Sequence, residues 1–218
     1  MSFELGDLFS YLAHRSFLIL FMRLFVALDI ADEIRERIGR YVEGVQNFAP
    51  EARWVKEESM HVTLKFIGEQ SDTALESIKQ ALSTVAGRCA SITFRGYGFF
   101  PTAKSARVFW IGMEAGPELA SLAAEIDEKM AAVGVPREQR KFSPHLTLAR
   151  SAGASGSPRR LKGDRVAGTF ERLQQKLAAL GTPEFGSMAA REFCLYRSQL
   201  SPKGSKYTKL ERFPLQTE

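Results

Sequence analysis

His61-Val62-Thr63-Leu64 and His145-Leu146-Thr147-Leu148 repeat one four-residue frame and use two of the chain's three histidines. With Thr at ~6% and Leu at ~9% of residues, chance would set x-Thr-Leu after two of three histidines on the order of once in ten thousand chains. Both frames lie in short apolar, β-branched runs, 62–67 and 146–148, which predict strands. Residues i and i+2 of a strand share a face, so each His shares one with its Thr, while Val62, Leu64, Leu146 and Leu148 point into a core. A lone strand histidine is most simply a core residue satisfied by backbone partners. The duplication turns that balance toward chemistry. Two imidazoles, each with a hydroxyl two residues on, are what metal-free acid/base work on a phosphate ester requires.

Outward from the frames, 23–29 reads as a first strand, and Ile34, Ile38, Tyr41, Val42 and Val45 recur at helical spacing over about 31–46. Residues 53–55 and 61–68 follow as strands. Asp72 then caps a helix bearing Leu75, Ile78, Leu82 and Val85. The runs 91–99 and 107–113 read as a hairpin around Pro101. Pro117 suits a first helical position ahead of Leu119, Leu122, Ile126, Met130 and Val133. After strand 145–150 comes a Gly/Ser/Ala-rich loop, 151–158, and then a helix with Val166, Phe170, Leu173, Leu177 and Leu180 on one face. Strands near 192–197 and 205–213, joined by the turn 201–204, close the chain. About four helices and eight strands, with strands mostly adjacent, make an α+β pattern rather than a doubly wound one. The frames stand 84 residues apart, which predicts a duplicated α+β unit with both HxTL strands lining one cleft.

A chain of 218 residues can bury a core as one domain or as two small lobes. Cys89 and Cys194 show neither a disulfide framework nor zinc-ligand spacing, so the expected compartment is a reducing cytoplasm. The net charge of +5 is unevenly spread. Arg137, Arg140, Lys141, Arg150, Arg159, Arg160, Lys162 and Arg165 face only Glu138 and Asp164, and this run brackets His145, which favours a polyanionic partner. Phe17 to Phe21 are apolar over far fewer than the ~20 residues a membrane helix needs, and no small-residue cleavage site follows. Residues 1–21 therefore read as an upstream extension of the kind an over-called start leaves. Leu8, Phe9, Tyr11 and Leu12 there could form a docking helix, and His14 reads as a surface residue. Residues 22–218 read as a single bilobal domain.

With these residues in place, the chain resembles the 2H phosphoesterase superfamily, specifically the RNA 2',3'-cyclic phosphodiesterases also called 2'-5' RNA ligases. The resemblance runs from about Met22 to the C-terminus. It rests on Arg23-Leu24-Phe25-Val26-Ala27, Arg53-Trp54-Val55, the run from His61 to Glu69, Arg107-Val108-Phe109-Trp110, the run from Phe142 to Arg150, and the tail from Ser198 to Leu210. It implies two pseudo-symmetric lobes, each an antiparallel sheet with helices on its outer face, and one HxT motif from each in a central cleft. The implied reaction opens a 2',3'-cyclic phosphate at an RNA end to a 2'-phosphomonoester without cofactor or metal. Reversed, it joins such an end to a 5'-hydroxyl through a 2',5' bond.

The resemblance assigns His61 as proton donor to the 3'-oxygen, His145 as the base on water, and Thr63 and Thr147 as phosphate-oxygen donors. It also favours Arg150 at the phosphate. Strict alternation would point Arg150 away from His145, so that role requires β-bulging near Ala149. Phe25, Phe66 and Tyr207 are aromatic candidates for base stacking, and Lys65 and Lys141 are candidates for the RNA backbone. The expected partner is RNA or a nucleotide with a 2',3'-cyclic phosphate end, with no membrane, and the chain is expected to be a monomer. A phosphodiesterase of the same superfamily for 2',5'-oligonucleotides or another small cyclic phosphate would keep both histidines but need another base pocket. A non-catalytic RNA-binding module would not need paired HxT frames, and no RNP1-like run is present. A two-His metal hydrolase would need a third ligand at suitable spacing, which neither frame has.

Overall fold

The two periodicities resolve into nine strands and four α-helices in a computed structural model that describes residues 21–151, 168–201 and 204–217. The strands are β1 (Phe21–Leu28), β2 (Arg53–Trp54), β3 (Val62–Ser71), β4 (Ala90–Phe100), β5 (Val108–Ala115), β6 (His145–Arg150), β7 (Glu184–Ala190), β8 (Glu192–Ser201) and β9 (Gly204–Pro214). The helices are α1 (Asp32–Val45), α2 (Leu75–Ser83), α3 (Pro117–Ala132) and α4 (Glu171–Ala178). His14, Val166, the expected extension before residue 21 and most of the Gly/Ser loop lie outside the described residues.

Two antiparallel sheets result, one in the order β3-β1-β8-β9 and the other β2-β6-β5-β4-β7. Helix α1 buries Ile34, Ile38, Val42 and Val45, places Asp32 and Glu33 at its positive end, and packs on β7 of the second sheet. Helix α3 opens on Pro117, buries Leu119, Leu122, Ile126 and Met130, and packs on β3 of the first. The lobes are thus intertwined rather than consecutive. A helix from the first half of the chain covers the second sheet, a helix from the second half covers the first, and the β8–β9 hairpin completes the sheet that β1 began. No described helix is long and apolar enough to cross a membrane.

Several expectations shift. Strand β1 starts at Phe21, one residue inside the expected extension. Asp72 heads a 3-10 turn and accepts from the Thr73 N–H at 2.9 Å, so α2 starts only at Leu75. Val133 and Leu180, at the ends of their stripes, fall beyond the helices and are exposed. Strand β7 was not expected. Its sequence Glu-Phe-Gly-Ser-Met-Ala-Ala has no β-branched residue, and its pairing with β4 supplies what local propensity lacks.

One core runs through both lobes, while Phe25, Ala27, Cys194 and Tyr196 form a separate small cluster with Tyr207 packed against it. Alternation along β1 explains the division. Leu24, Val26 and Leu28 enter the main core, and Phe25 and Ala27 face the opposite side.

Candidate active site

Both motif strands break alternation at the same place. Along β1–β3, Val26 pairs with Lys65 and Ala27 with Thr63, so Leu64 is the extra residue; along β5–β6, Phe109 pairs with Ala149 and Trp110 with Thr147, so Leu148 is. A bulge lets two successive side chains face one way. Leu64 and Lys65 are accordingly both buried, as are Leu148 and Ala149, and the next residue in each strand, Phe66 or Arg150, returns to the face of its histidine. The bulge that a role for Arg150 required is therefore present. Phe66 stands at the equivalent position, 63% exposed.

The two histidines are held alike. His61 Nδ1 lies 2.8 Å from the carbonyl oxygen of Ser59, and His145 Nδ1 lies 2.8 Å from that of Ser143. A carbonyl only accepts, so Nδ1 carries the proton in both rings and Nε2 is the nitrogen left for chemistry. Aromatic rings fix the planes. His61 packs against Phe25 at 4.8 Å and edge-on to Tyr207 at 5.1 Å, with Tyr196 stacked beyond at 6.3 Å. His145 packs edge-on to Phe100 at 4.9 Å, and Phe100 stacks on Trp110. Gly98 and Gly112 make room on that side. A Cβ on Gly98 would lie 2.2 Å from the Trp110 ring, and Gly112 pairs directly with His145 across β5–β6.

The segment leading into each histidine is pinned by a cation. Arg35 donates to the carbonyls of Ile30, Glu57 and Met60, fixing the approach to His61. Lys65 donates to Asp127 at 2.5 Å and to the Pro136 carbonyl at 2.7 Å, and Asp127 also accepts from the Glu138 N–H at 3.0 Å. That knot ties β3 and α3 to the segment preceding His145.

Burial depresses both imidazoles. For His61 it outweighs the Ser59 carbonyl, which favours the charged ring, and the Arg150 guanidinium adds to the depression; Asp29 opposes it and Arg35 reinforces it, leaving the value at about 4. For His145 burial again leads, the Ser143 carbonyl opposes, and Arg150 reinforces. One guanidinium therefore acts on both rings, which is consistent with β3 and β6 packing together where the sheets meet. Behind His61, Asp29 accepts hydrogen bonds from Tyr196 and Lys209, and these outweigh burial to hold its carboxyl below the usual range.

Of the residues singled out from sequence, Thr63 and Phe66 lie on β3 with His61 immediately before it, and His145, Thr147 and Arg150 lie on β6, each set on one face. Phe25 corrects its expectation: at 3% exposure it has no free face for a base and instead backs His61. Tyr207 is half-buried and also packs on His61. Lys65 is a second correction, since its ammonium is buried in the Asp127 knot and does not face solvent. Lys141 is exposed. Arg35, Asp29, Phe100, Trp110 and Tyr196 were not anticipated. The carbonyl anchors had a signal in the chain, because Ser59 and Ser143 extend both frames to Ser-x-His-x-Thr-Leu.

The family model described as LigT-like phosphoesterase matches twice in succession, over residues 28–110 and 111–207. An RNA 2',3'-cyclic phosphodiesterase of Archaeoglobus fulgidus is 34% identical over 192 residues, covering 88% of this chain and 99% of the relative. One from Escherichia coli K12 is 33% identical over 202 residues, covering 88% and 96%. Among solved structures, E. coli LigT complexed with 3'-AMP superposes with a TM-score of 0.69 at 29% identity, over 90% of this chain and 99% of that one.

Proposed function

Since the chain belongs to the LigT-like phosphoesterase family, we propose that it opens 2',3'-cyclic phosphodiester ends of RNA to 2'-phosphomonoesters by metal-independent acid/base catalysis with His61 and His145. The observation that carries this reading is the shared anchoring of the two rings. Each Nδ1 is committed to a carbonyl, so each Nε2 is free either to accept or to donate a proton.

In the hydrolytic direction His145 Nε2 takes a proton from water as its oxygen bonds to phosphorus. The bond from phosphorus to the 3'-oxygen breaks, and His61 Nε2 delivers a proton to that oxygen, leaving the phosphate on the 2'-oxygen. Asp29 favours the cationic form of His61 and so partly offsets the burial that leaves the free ring at about 4. The negative phosphate adds to that effect when it binds. Thr63 and Thr147 lie on the faces of their histidines as donors to the non-bridging oxygens, and Arg150 supplies positive charge there. Phe66 offers its exposed ring to a base, with Tyr207 beside His61 at the edge of the same wall. With the roles exchanged, the same groups join a cyclic end to a 5'-hydroxyl.

Adenosine 2',3'-cyclic phosphate tests the reading. The expected product is adenosine 2'-phosphate, formed equally well in EDTA, and His61→Ala or His145→Ala should each lower turnover about 100-fold or more. A 3'-phosphate product, loss of activity on chelation, or full activity in both variants would overturn it.

A further inference from the structure

Strand β2 is only two residues long, and its pairing with β6 sets Arg53 directly opposite Arg150 and Trp54 opposite Ala149. Directly paired residues share a face, and these two pairs sort cleanly. Trp54 packs edge-on to the buried Phe109 and donates from Nε1 to the Ala49 carbonyl at 3.1 Å, so the Trp54–Ala149 pair faces the core. Arg53 and Arg150 therefore point the other way, and both are exposed. Because of the bulge at Leu148, that other way is the face of His145 and Thr147.

Two guanidiniums directly across from each other repel, and such a pair costs stability unless an anion sits between them. Among the described residues neither forms an ion pair with a carboxylate, as is also true of several others, Arg37, Arg107 and Arg137 among them; what sets Arg53 and Arg150 apart is that they face each other directly across a strand pair. Arg150 also acts on both imidazoles. Arg53 lies one strand further out, ~4.8 Å across the sheet from Arg150, on the edge strand.

Resting on the proposed reaction, we infer that Arg53 is a phosphate-binding residue for the next phosphate of the RNA chain, the one on the 5'-oxygen of the terminal nucleotide. Arg150 spans the gap between that group and the reacting cyclic phosphate. The Trp54 anchor is what holds the guanidinium in place, because it fixes the only two residues of β2. A planar guanidinium suits this task, since its fork matches two phosphate oxygens at once. The consequence is a preference for an RNA end over a free cyclic mononucleotide, which lacks that phosphate.

Two substrates isolate the contact: adenosine 2',3'-cyclic phosphate and the same molecule carrying a 5'-phosphate. The wild-type kcat/KM should be higher for the second, and Arg53→Gln should cut the ratio of the two values roughly 10-fold or more, the scale of a charge-assisted hydrogen bond. Arg53→Lys should retain part of the preference as a point charge without the fork. The salt dependence of log kcat/KM for the 5'-phosphorylated substrate should flatten by about 0.7 in slope. Because the ratio is internal to each variant, a change in the folded fraction cancels. No wild-type preference, an unchanged ratio in Arg53→Gln, or a parallel fall on both substrates would overturn the inference while leaving the proposed function standing. Hydrolysis of neither substrate by the wild-type protein would overturn both.

Discussion

Replacing Lys65 with Met should destabilise the protein far more than removal of a strand lysine normally does. The side chain is 5% exposed and its partner Asp127 18% exposed. Methionine keeps most of the stem volume but leaves the Asp127 carboxylate with only the Glu138 N–H and the Pro136 carbonyl with no donor from Lys65. Removing one partner of a buried pair costs ~3–5 kcal/mol because the other charge stays behind. Water can reach Asp127 in part, so about 3 kcal/mol is expected, or ~6–12 °C in Tm for a chain of this size. Replacing both partners removes the stranded charge, so Lys65→Met with Asp127→Leu should recover to within ~1 kcal/mol of wild type. The Asp127 carboxyl is held below its usual range because hydrogen bonds from Lys65 and from the Glu138 N–H outweigh the opposing effect of burial. Its contribution is therefore full above the unfolded value near ~3.9 and is lost as pH falls through the lower folded value. Urea titration of the four proteins of the cycle at neutral and acidic pH measures each quantity. A loss below ~1 kcal/mol in Lys65→Met, or strictly additive single variants, would show that no buried pair holds β3 to the segment before His145.

Gly98→Ala drives a Cβ to within 2.2 Å of the Trp110 ring, so it should cost ~1–3 kcal/mol by overpacking and lower kcat as Phe100 and His145 shift; wild-type Tm and turnover would refute the packing described. The pH dependence of kcat/KM should be bell-shaped with its lower limb near 4 and its upper limb below the ordinary imidazole value of ~6.5, since both rings are depressed. Arg150→Gln removes positive charge from both rings, so both limbs should move to higher pH, and a profile that only loses amplitude would count against a shared field.

Much of this fold is legible because the motif strands alternate and the helices carry clean stripes: Ile34, Ile38 and Val42 on α1, and Leu119, Leu122, Ile126 and Met130 on α3. The histidines are legible because they repeat. What alternation misplaces is Lys65 and Arg150, and for a single reason. A bulge is a property of two paired strands, set by how Val26 and Ala27 meet β3 and how Phe109 and Trp110 meet β6, and no pattern within one strand announces it. Strand β7 is hidden for a related reason, since its order comes from β4 rather than from its own residues. Phe100 and Trp110 beside His145, like Tyr196 beside His61, likewise become neighbours only through pairing.

The bulges also explain how a duplicated frame yields an unsymmetrical site. Histidine, threonine and carbonyl anchor are the same in both strands, so they cannot by themselves distinguish one end of a substrate from the other. The first position past each bulge can, because the chain places an aromatic ring there in one strand and a guanidinium in the other. On the proposed reaction Phe66 would favour a planar, apolar group and Arg150 an anion, which would give a nucleotide bound across the two strands one preferred direction. Asp29 reinforces that direction, since it acts on His61, beside the aromatic wall, whereas among the described residues the charged side chain acting on His145 is Arg150. Exchanging Phe66 and Arg150 in one double variant would keep both histidines and both threonines while moving the guanidinium to the other strand, reversing the electrostatic polarity. If polarity orients the substrate, that variant should lose more kcat/KM on 2',3'-cyclic ends than Arg150→Gln alone, and retention of wild-type kcat/KM would place the source of direction elsewhere.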